Sequence, residues 1–342
     1  MGTKDHDKSQ YFFCIRIEMG MSRADSNLRS LRRCMINRSR DGSLVDGQAN
    51  LFHHDGMIAT ILTHPGSAHR DEFLACCLLA AVHGVPVIRR EPKEQDLNDT
   101  SVVVVDVGGR HEPKKMNFDH HQFSADAPPI CALSLVMMHL GIYDDARMFC
   151  DWLEPAEWFD TKGPVKTAEW LGMPRETLSK LQSSIDSTVL RRFAVASRLE
   201  PGDIIWELMH MIGSDLIHYL GAMRGRLKQL EGNLHFWEME KDGEKFCAVF
   251  LPRTESLVDD PSGALSHYLR SIGRDAEVVA MVYPDRRGLG YGLSRNNDHP
   301  RLDFTMIEHQ HDVHFAHPRG FVAKTSAADV GRLRELLAAS WV

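Results

Sequence analysis

The chain lacks most of the features that sort a sequence at a glance. Its seven cysteines are odd in number, scattered and without a Cys-x-x-Cys pair, which excludes a disulfide framework. Cys76 and Cys77 adjoin in an apolar helical stretch and read as core thiols, so a reducing compartment is expected. No apolar run approaches the roughly 20 residues that span a bilayer, so no membrane partner is expected. The net charge of −7 leaves no global basic field for nucleic acid, although a local basic groove can sit on an acidic body. Gly288-Leu289-Gly290-Tyr291-Gly292 is not followed by Lys-Ser or Lys-Thr and opens a strand. It reads as a turn, not a nucleotide cradle. Internal repeats and low-complexity linkers are absent.

What remains is an ordinary globular composition, 43% apolar and 25% charged, in 342 residues, enough for two domains with proper cores. The first fifty residues differ. Met21 to Arg40 is rich in Arg and Ser with one acid, Asp25. The segment reads as a poorly ordered tail in a cytoplasmic protein; the alternative is a mitochondrial transit peptide starting at an internal Met.

Beyond the tail the pattern is α/β. Met57 to Thr63 is a short β-branched run, read as a buried strand that stops at His64-Pro65-Gly66-Ser67. Asp71 to Val82 has helical spacing and ends at Gly84; Val85–Ile88 and Ser101–Val105 are two further strands. This order predicts a doubly wound, mainly parallel sheet. Helices are expected over 130–140, 144–153, 164–182 and, long and amphipathic, 204–229. Paired strands around Asp242-Gly243 follow, then strands at 277–282, 290–294 and 313–316 and a closing helix over 327–339. The expected division is a catalytic domain over 51–200, a connecting helix over 201–230 and a smaller α/β substrate-binding domain over 231–342.

Ligands of such sheets gather beyond the carboxyl ends of the strands. His64 directly follows the first strand and Asp106 the third; His69, Asp71 and Asp119-His120-His121 lie nearby in sequence. Hydrolysing a phosphoester needs charge relief on the non-bridging oxygens and an activated water, which two divalent ions roughly 3.5–4 Å apart supply. Asp106, short and at a strand end, is the expected bridge. His64 and His69 would complete one site, and Asp71 and His120 would begin the other. This mixed set suits Mn²⁺, with Mg²⁺ or another transition ion as alternatives. His121 would face the substrate, and Asp119 would orient a histidine. Asp106, Asp119 and His121 are the catalytic candidates. Asp160, before the Gly163-Pro164 stop, is the choice for the last ligand, with Asp144, Asp145 and Asp151 as rivals.

These segments are similar to a known family. His64-Pro65-Gly66-Ser67-Ala68-His69-Arg70-Asp71-Glu72, Val105-Asp106-Val107-Gly108-Gly109 and Phe118-Asp119-His120-His121-Gln122 resemble the first three motifs of the melanocyte proliferating gene family, a branch of the DHH phosphoesterases. Phe159-Asp160-Thr161-Lys162-Gly163 resembles its fourth, where the family usually carries Asp-Asn-Gly. Phe315-Ala316-His317-Pro318-Arg319-Gly320-Phe321 resembles a His-x-x-Gly-Phe element near its C-terminus. The resemblance implies a two-domain α/β fold with the active site in the cleft between the domains, and a metal-dependent phosphodiesterase with 3′–5′ exonuclease action on RNA. It implies metal ligation by His64, His69, Asp71, Asp106, His120 and Asp160, a phosphate contact at His121, and a substrate-phosphate site at His317 with the backbone of Gly320. Many other DHH enzymes carry Asp at the position of His69, so a weaker first metal site is expected.

Arg286, Arg287, Arg295, Arg319 and Lys324 could form a basic wall for a nucleic-acid backbone, with Arg295 and Arg319 the substrate-contact candidates; for any one arginine taken alone, a solvated charge is the preferred reading. His309, His311 and His314 would make a separate zinc site only if they projected from one face; solvated histidines are the preferred reading. The favoured function is an exonuclease on RNA or short oligonucleotides. The alternatives are a small-substrate phosphatase or pyrophosphatase with the same chemistry, and a metal-binding scaffold without turnover. The reading leaves room for a homodimer.

Overall fold

The computed structural model describes residues 57–180 and 183–342. The expected tail over 1–50, and with it the transit-peptide reading, lies outside the described residues.

Chain order in the first part is β1 (Thr60–Thr63), α1 (Arg70–His83), β2 (Val87–Arg89), α2 (Glu94–Asn98), β3 (Val102–Val105), β4 (His111–Glu112) and β5 (Asn117–Phe118). Five helices follow, α3 (Ala132–His139), α4 (Tyr143–Phe149), α5 (Leu153–Trp170), α6 (Arg175–Lys180) and α7 (Ser184–Val195), then β6 (Arg198–Leu199) and the long α8 (Ile204–Leu230). The sheet order is β4-β5-β3-β1-β2-β6. Its centre is parallel and its two edge pairs are antiparallel, so the mainly parallel expectation holds for the inner strands. β4, β5 and β6 are two residues each, too short for a periodicity to reveal.

Strand alternation splits the side chains between two faces. Ile61, Val87, Val103 and Val105 enter a large core with α1, α3 and α8, whereas Leu62, Val102 and Val104 meet Leu97 of α2 in a small cluster. Among the described residues the winding is therefore lopsided, with the bulk of the helices on one face. α1 starts at His69, carries Asp71 and Glu72 in its first turn, where the helix dipole favours acids, and ends on a left-handed Gly84 whose N–H donates to Ala80 O at 2.9 Å.

The second sheet comprises β7 (His235–Lys241), β8 (Glu244–Phe250), β9 (Val278–Pro284), β10 (Tyr291–Arg295), β11 (Val313–Ala316) and β12 (Val322–Thr325), with α9 (Pro261–Ser271) and α10 (Val330–Ala339). Its order is β11-β12-β10-β9-β8-β7. The β7–β8 turn at Asp242-Gly243 has positive φ at both residues (53° and 82°), as a two-residue hairpin requires. β8 and β9 run parallel because α9 separates them. α9 packs on one face through Leu265 and Leu269, α10 on the other through Leu333 and Leu337. The sequence pattern did not indicate α9 or β12. No helix among the described residues is long and apolar enough to cross a membrane.

α8 packs along α1, pinned by Trp206, whose Nε1 donates to Val85 O at 3.0 Å. The approach is close enough that a Cβ on Gly213 would lie 2.0 Å from Cys77 O, a backbone atom that cannot yield cheaply. Gly213→Ala should therefore destabilise the fold by about 1–3 kcal/mol through overpacking. A lowered midpoint in denaturant with unchanged slope is the expected result, and an unchanged midpoint would show that the helices part freely.

Candidate metal centre

Sheet register assembles the site. Thr63 pairs with Val105, and Val105 with Phe118. The next residues, His64, Asp106 and Asp119, therefore leave three adjacent parallel strands at the same level. Asp106 adopts a left-handed backbone (φ 58°), which Asp tolerates better than most residues at a cost of about 1–3 kcal/mol. Gly108 and Gly109 continue the turn, and at Gly108 a Cβ would also lie 2.8 Å from Leu97 Cδ2. Asp106 N–H donates to Phe118 O at 3.0 Å, anchoring the turn to β5.

Asp106 stands at the centre of the cluster. Its Oδ2 lies 3.6 Å from His64 Nε2, and its Oδ1 lies 3.2 Å from His120 Nε2 and 3.7 Å from His121 Nδ1. His120 Nε2 also lies 3.0 Å from Asp160 Oδ2. Three overlapping groups of donors lie within 4.8 Å of one another, a spacing able to hold a metal ion: His64, His69, Glu72 and Asp106; Asp106, His120 and His121; His69, Asp71 and Asp160. Asp106 and His69 each belong to two of these groups.

The structure thus brings together His64, His69, Asp71, Asp106, His120, His121 and Asp160. Asp119 sits behind them. Its Oδ2 accepts from Gly109 N–H at 2.6 Å, and its Oδ1 accepts from His121 N–H at 3.0 Å and lies 2.7 Å from His121 Nδ1. It ties the Asp106 turn to the His120-His121 loop and leaves Nε2 of His121 outside this pairing. Two of the rivals of Asp160 are occupied elsewhere, Asp145 by Arg224 and Asp151 by Arg270.

Asp160 reaches the centre because α5 is anchored at Glu157. That carboxylate accepts from Ser134 Oγ (2.7 Å), Tyr143 OH (2.8 Å) and Arg147 Nη1 (3.1 Å). Gly163 then breaks the helix with φ 77° and ψ 169°. Lys162, unusual at its position for the resembled motif, donates to the carbonyls of Ala125 (2.6 Å) and Ala127 (2.8 Å), fastening the fourth motif to the segment after the third.

Sequence reasoning quoted Glu72 without assigning it a role and stopped the second strand one residue before Arg89. Both are buried, and they pair at 2.7 Å. Glu72 Oε2 also contacts His64 Nε2. A glutamate in a helix first turn reads as an ordinary capping acid, so only its neighbours give it away.

Arg295 ends β10, and His317, Arg319 and Gly320 lie in the turn between β11 and β12, all with local partners. His317 Nδ1 accepts from Arg319 N–H at 3.1 Å, and its ring lies 4.0 Å from that of Phe321, tilted by 37°. Gly320 (φ 68°) is required because a Cβ would lie 2.0 Å from Asp303 Oδ1. Arg295 donates to the carbonyls of Leu302 (3.3 Å) and Arg319 (3.0 Å). Of the other basic residues, Arg286 pairs with Asp259, and Lys324 pairs with Asp285 at 3.0 Å beside Arg287 at a 460 Å³ cavity. Among the described residues the His309–His314 run gathers no metal-holding group.

Residues 60–139 match the family model MYG1_exonuc, described as an uncharacterised protein family (UPF0160). Over this segment the chain is similar to the MYG1 exonuclease family. The matched stretch carries His64 through His121 and stops before Asp160. The MYG1 exonuclease of Rattus norvegicus is 35% identical over 95 residues, covering 23% of this chain and 24% of that protein. The MYG1 protein of Dictyostelium discoideum is 42% identical over 66 residues, 18% of this chain and 20% of that protein. The MYG1 exonuclease of Homo sapiens is 41% identical over 66 residues, 18% and 17% respectively. The chain thus spans about a quarter or less of the length of the curated relatives it matches.

Electrostatics follow from the crowding of acids. The Asp106 and Glu72 carboxylates hold His64 protonated up to about pH 10. Burial works against the charge on His120, but Asp106 and Asp160 outweigh it and carry its pKa to about 10 as well. Asp71 is raised by burial and by its like-charged neighbours Asp106 and Asp160. Folded-state pKa values above the unfolded value of about 6.5 give the two histidines a stabilising contribution that is complete below that pH and lost as pH rises through about 10. The raised Asp71 acts in the same direction. In chelator, the melting temperature should fall between pH 7 and pH 10; a flat or rising profile would contradict these pairings.

Proposed function

We propose that the chain is a metal-dependent phosphodiesterase that removes nucleotides from the 3′ end of RNA or short oligonucleotides. The observation that carries this reading is a set of buried acceptors and donors without hydrogen-bond partners. Both oxygens of Asp71, both oxygens of Asp106, His120 Nε2 and Asp160 Oδ2 are buried and lack one. His120 Nε2 stands within ion-pair range of two carboxylates yet outside hydrogen-bond geometry. Leaving so many buried polar atoms unmet is costly, and hard divalent cations fit the mixed carboxylate and imidazole set.

His64, His69, Asp71, Asp106, His120 and Asp160 would hold two such ions, Mn²⁺ in the first instance, with Asp106 between them. Bound there, the ions supply charge relief at the phosphate and acidify an attacking water. The protein's own groups do the rest. Asp119 fixes the orientation of His121, whose side chain is 61% exposed, so that its free nitrogen meets a phosphate oxygen or delivers a proton to the leaving oxygen. His317, with Nδ1 occupied by backbone, keeps Nε2 as a donor for a second phosphate. The exposure of His121 and His69 favours an open site that accepts a chain end over a closed pocket for a small phosphate ester. The relatives named exonuclease support the same chemistry, and the 3′–5′ direction and preference for RNA follow the family resemblance.

The test is hydrolysis of end-labelled single-stranded RNA and DNA, with pyrophosphate and dinucleotides alongside, in Mn²⁺. Asp106→Ala should lower turnover by roughly a hundredfold or more, and chelator should abolish wild-type activity. Equal turnover by the variant would refute the assignment.

A further inference from the structure

Arg89 ends β2 and is 4% exposed. A guanidinium at that depth is expensive unless paired and hydrogen-bonded, and the partners it has are informative. Nη2 donates to Glu72 Oε1 at 2.7 Å and to Ser67 O at 3.0 Å; Nη1 donates to Gly66 O and Phe193 O, each at 3.2 Å. The guanidinium carbon lies 4.4 Å from the centroid of the Phe193 ring. These acceptors belong to three separate pieces: the loop between His64 and His69, the first turn of α1 and the last turn of α7. Glu72 extends the reach of the pair. Its Oε2 accepts from His69 N–H at 3.2 Å and contacts His64 Nε2. One cation, directly through two carbonyls and indirectly through one carboxylate, therefore grips the segment that carries two candidate ligands.

We propose that Arg89 is the positioning residue of the metal centre. By clamping the loop over 64–69 against α1 and α7, it sets where the His64 and His69 imidazoles stand relative to Asp106. The proposal rests on the reading of this cluster as a metal site. A planar guanidinium suits the task because its fixed fork meets several acceptors at once, whereas an ammonium of the same charge has neither the plane nor the span. Pairing with Arg89 also offsets the charge of Glu72 beside the other acids of the cluster, so that Glu72 can face His64 without adding an uncompensated charge.

The test titrates the full chain with Mn²⁺ by calorimetry and records the visible spectrum of the Co²⁺-loaded chain, for wild type, Arg89→Lys and Glu72→Gln. Arg89→Lys should weaken one of the two binding events roughly 10–100-fold, leave the other unchanged and shift the Co²⁺ bands. Glu72→Gln, which keeps the side-chain size and guards against a folding failure of the first variant, should weaken the same event by less. Wild-type affinity for both ions and an unaltered Co²⁺ spectrum in both variants would overturn the proposal, even with a lowered melting temperature, because the pair would then be structural only. A wild-type chain that takes up no ion would remove the metal reading itself, a result distinct from unaltered variants.

Discussion

Acidic side chains crowded around a single buried point repel one another, and much of the architecture near Asp106 serves to keep them there. Asp71, Glu72, Asp106 and Asp160 come from a helix first turn, a strand end and a second helix. Mutual repulsion raises Asp71, while the imidazoles beside Asp106 overcome its burial and hold its carboxyl down to about 2. The cluster concentrates negative charge around Asp106, with His64 and His120 as the resident counter-charges.

The supports are of three kinds. Parallel register sets His64, Asp106 and Asp119 level with one another, and the left-handed turn at Asp106 aims its carboxylate back across the strand ends. Asp119 and Lys162 stitch loops together through backbone groups. Glu157 and Arg89, each buried and each holding several partners, brace the pieces from behind. Such polar braces cost desolvation and add little stability in themselves; their contribution is geometric.

Much of this was legible in the sequence because a parallel α/β sheet places chemistry at predictable points. An apolar run followed at once by His64 or Asp106 marks a strand end, and the Gly163-Pro164 break marks where the Asp160 helix must stop. Less legible were elements whose identity depends on partners. β4, β5 and β6 are too short to show alternation, and α9 is amphipathic only over eleven residues that open with Asp260-Pro261. Arg89 falls just beyond the expected second strand, and composition cannot tell a buried arginine from a solvated one without the carbonyls it meets. Glu72 carried the same ambiguity, as did the basic wall, where Arg286, Arg295 and Lys324 turn out to be engaged by the protein itself.

The central claim is that these side chains bind paired divalent cations around Asp106, and anomalous X-ray scattering from Mn²⁺-soaked crystals tests it most directly. The account predicts two peaks flanking the Asp106 carboxylate roughly 3.5–4 Å apart, ligated by His64, His69, Asp71, His120 and Asp160. Density free of any anomalous peak at that carboxylate, or manganese bound only at other places on the molecule, would contradict it.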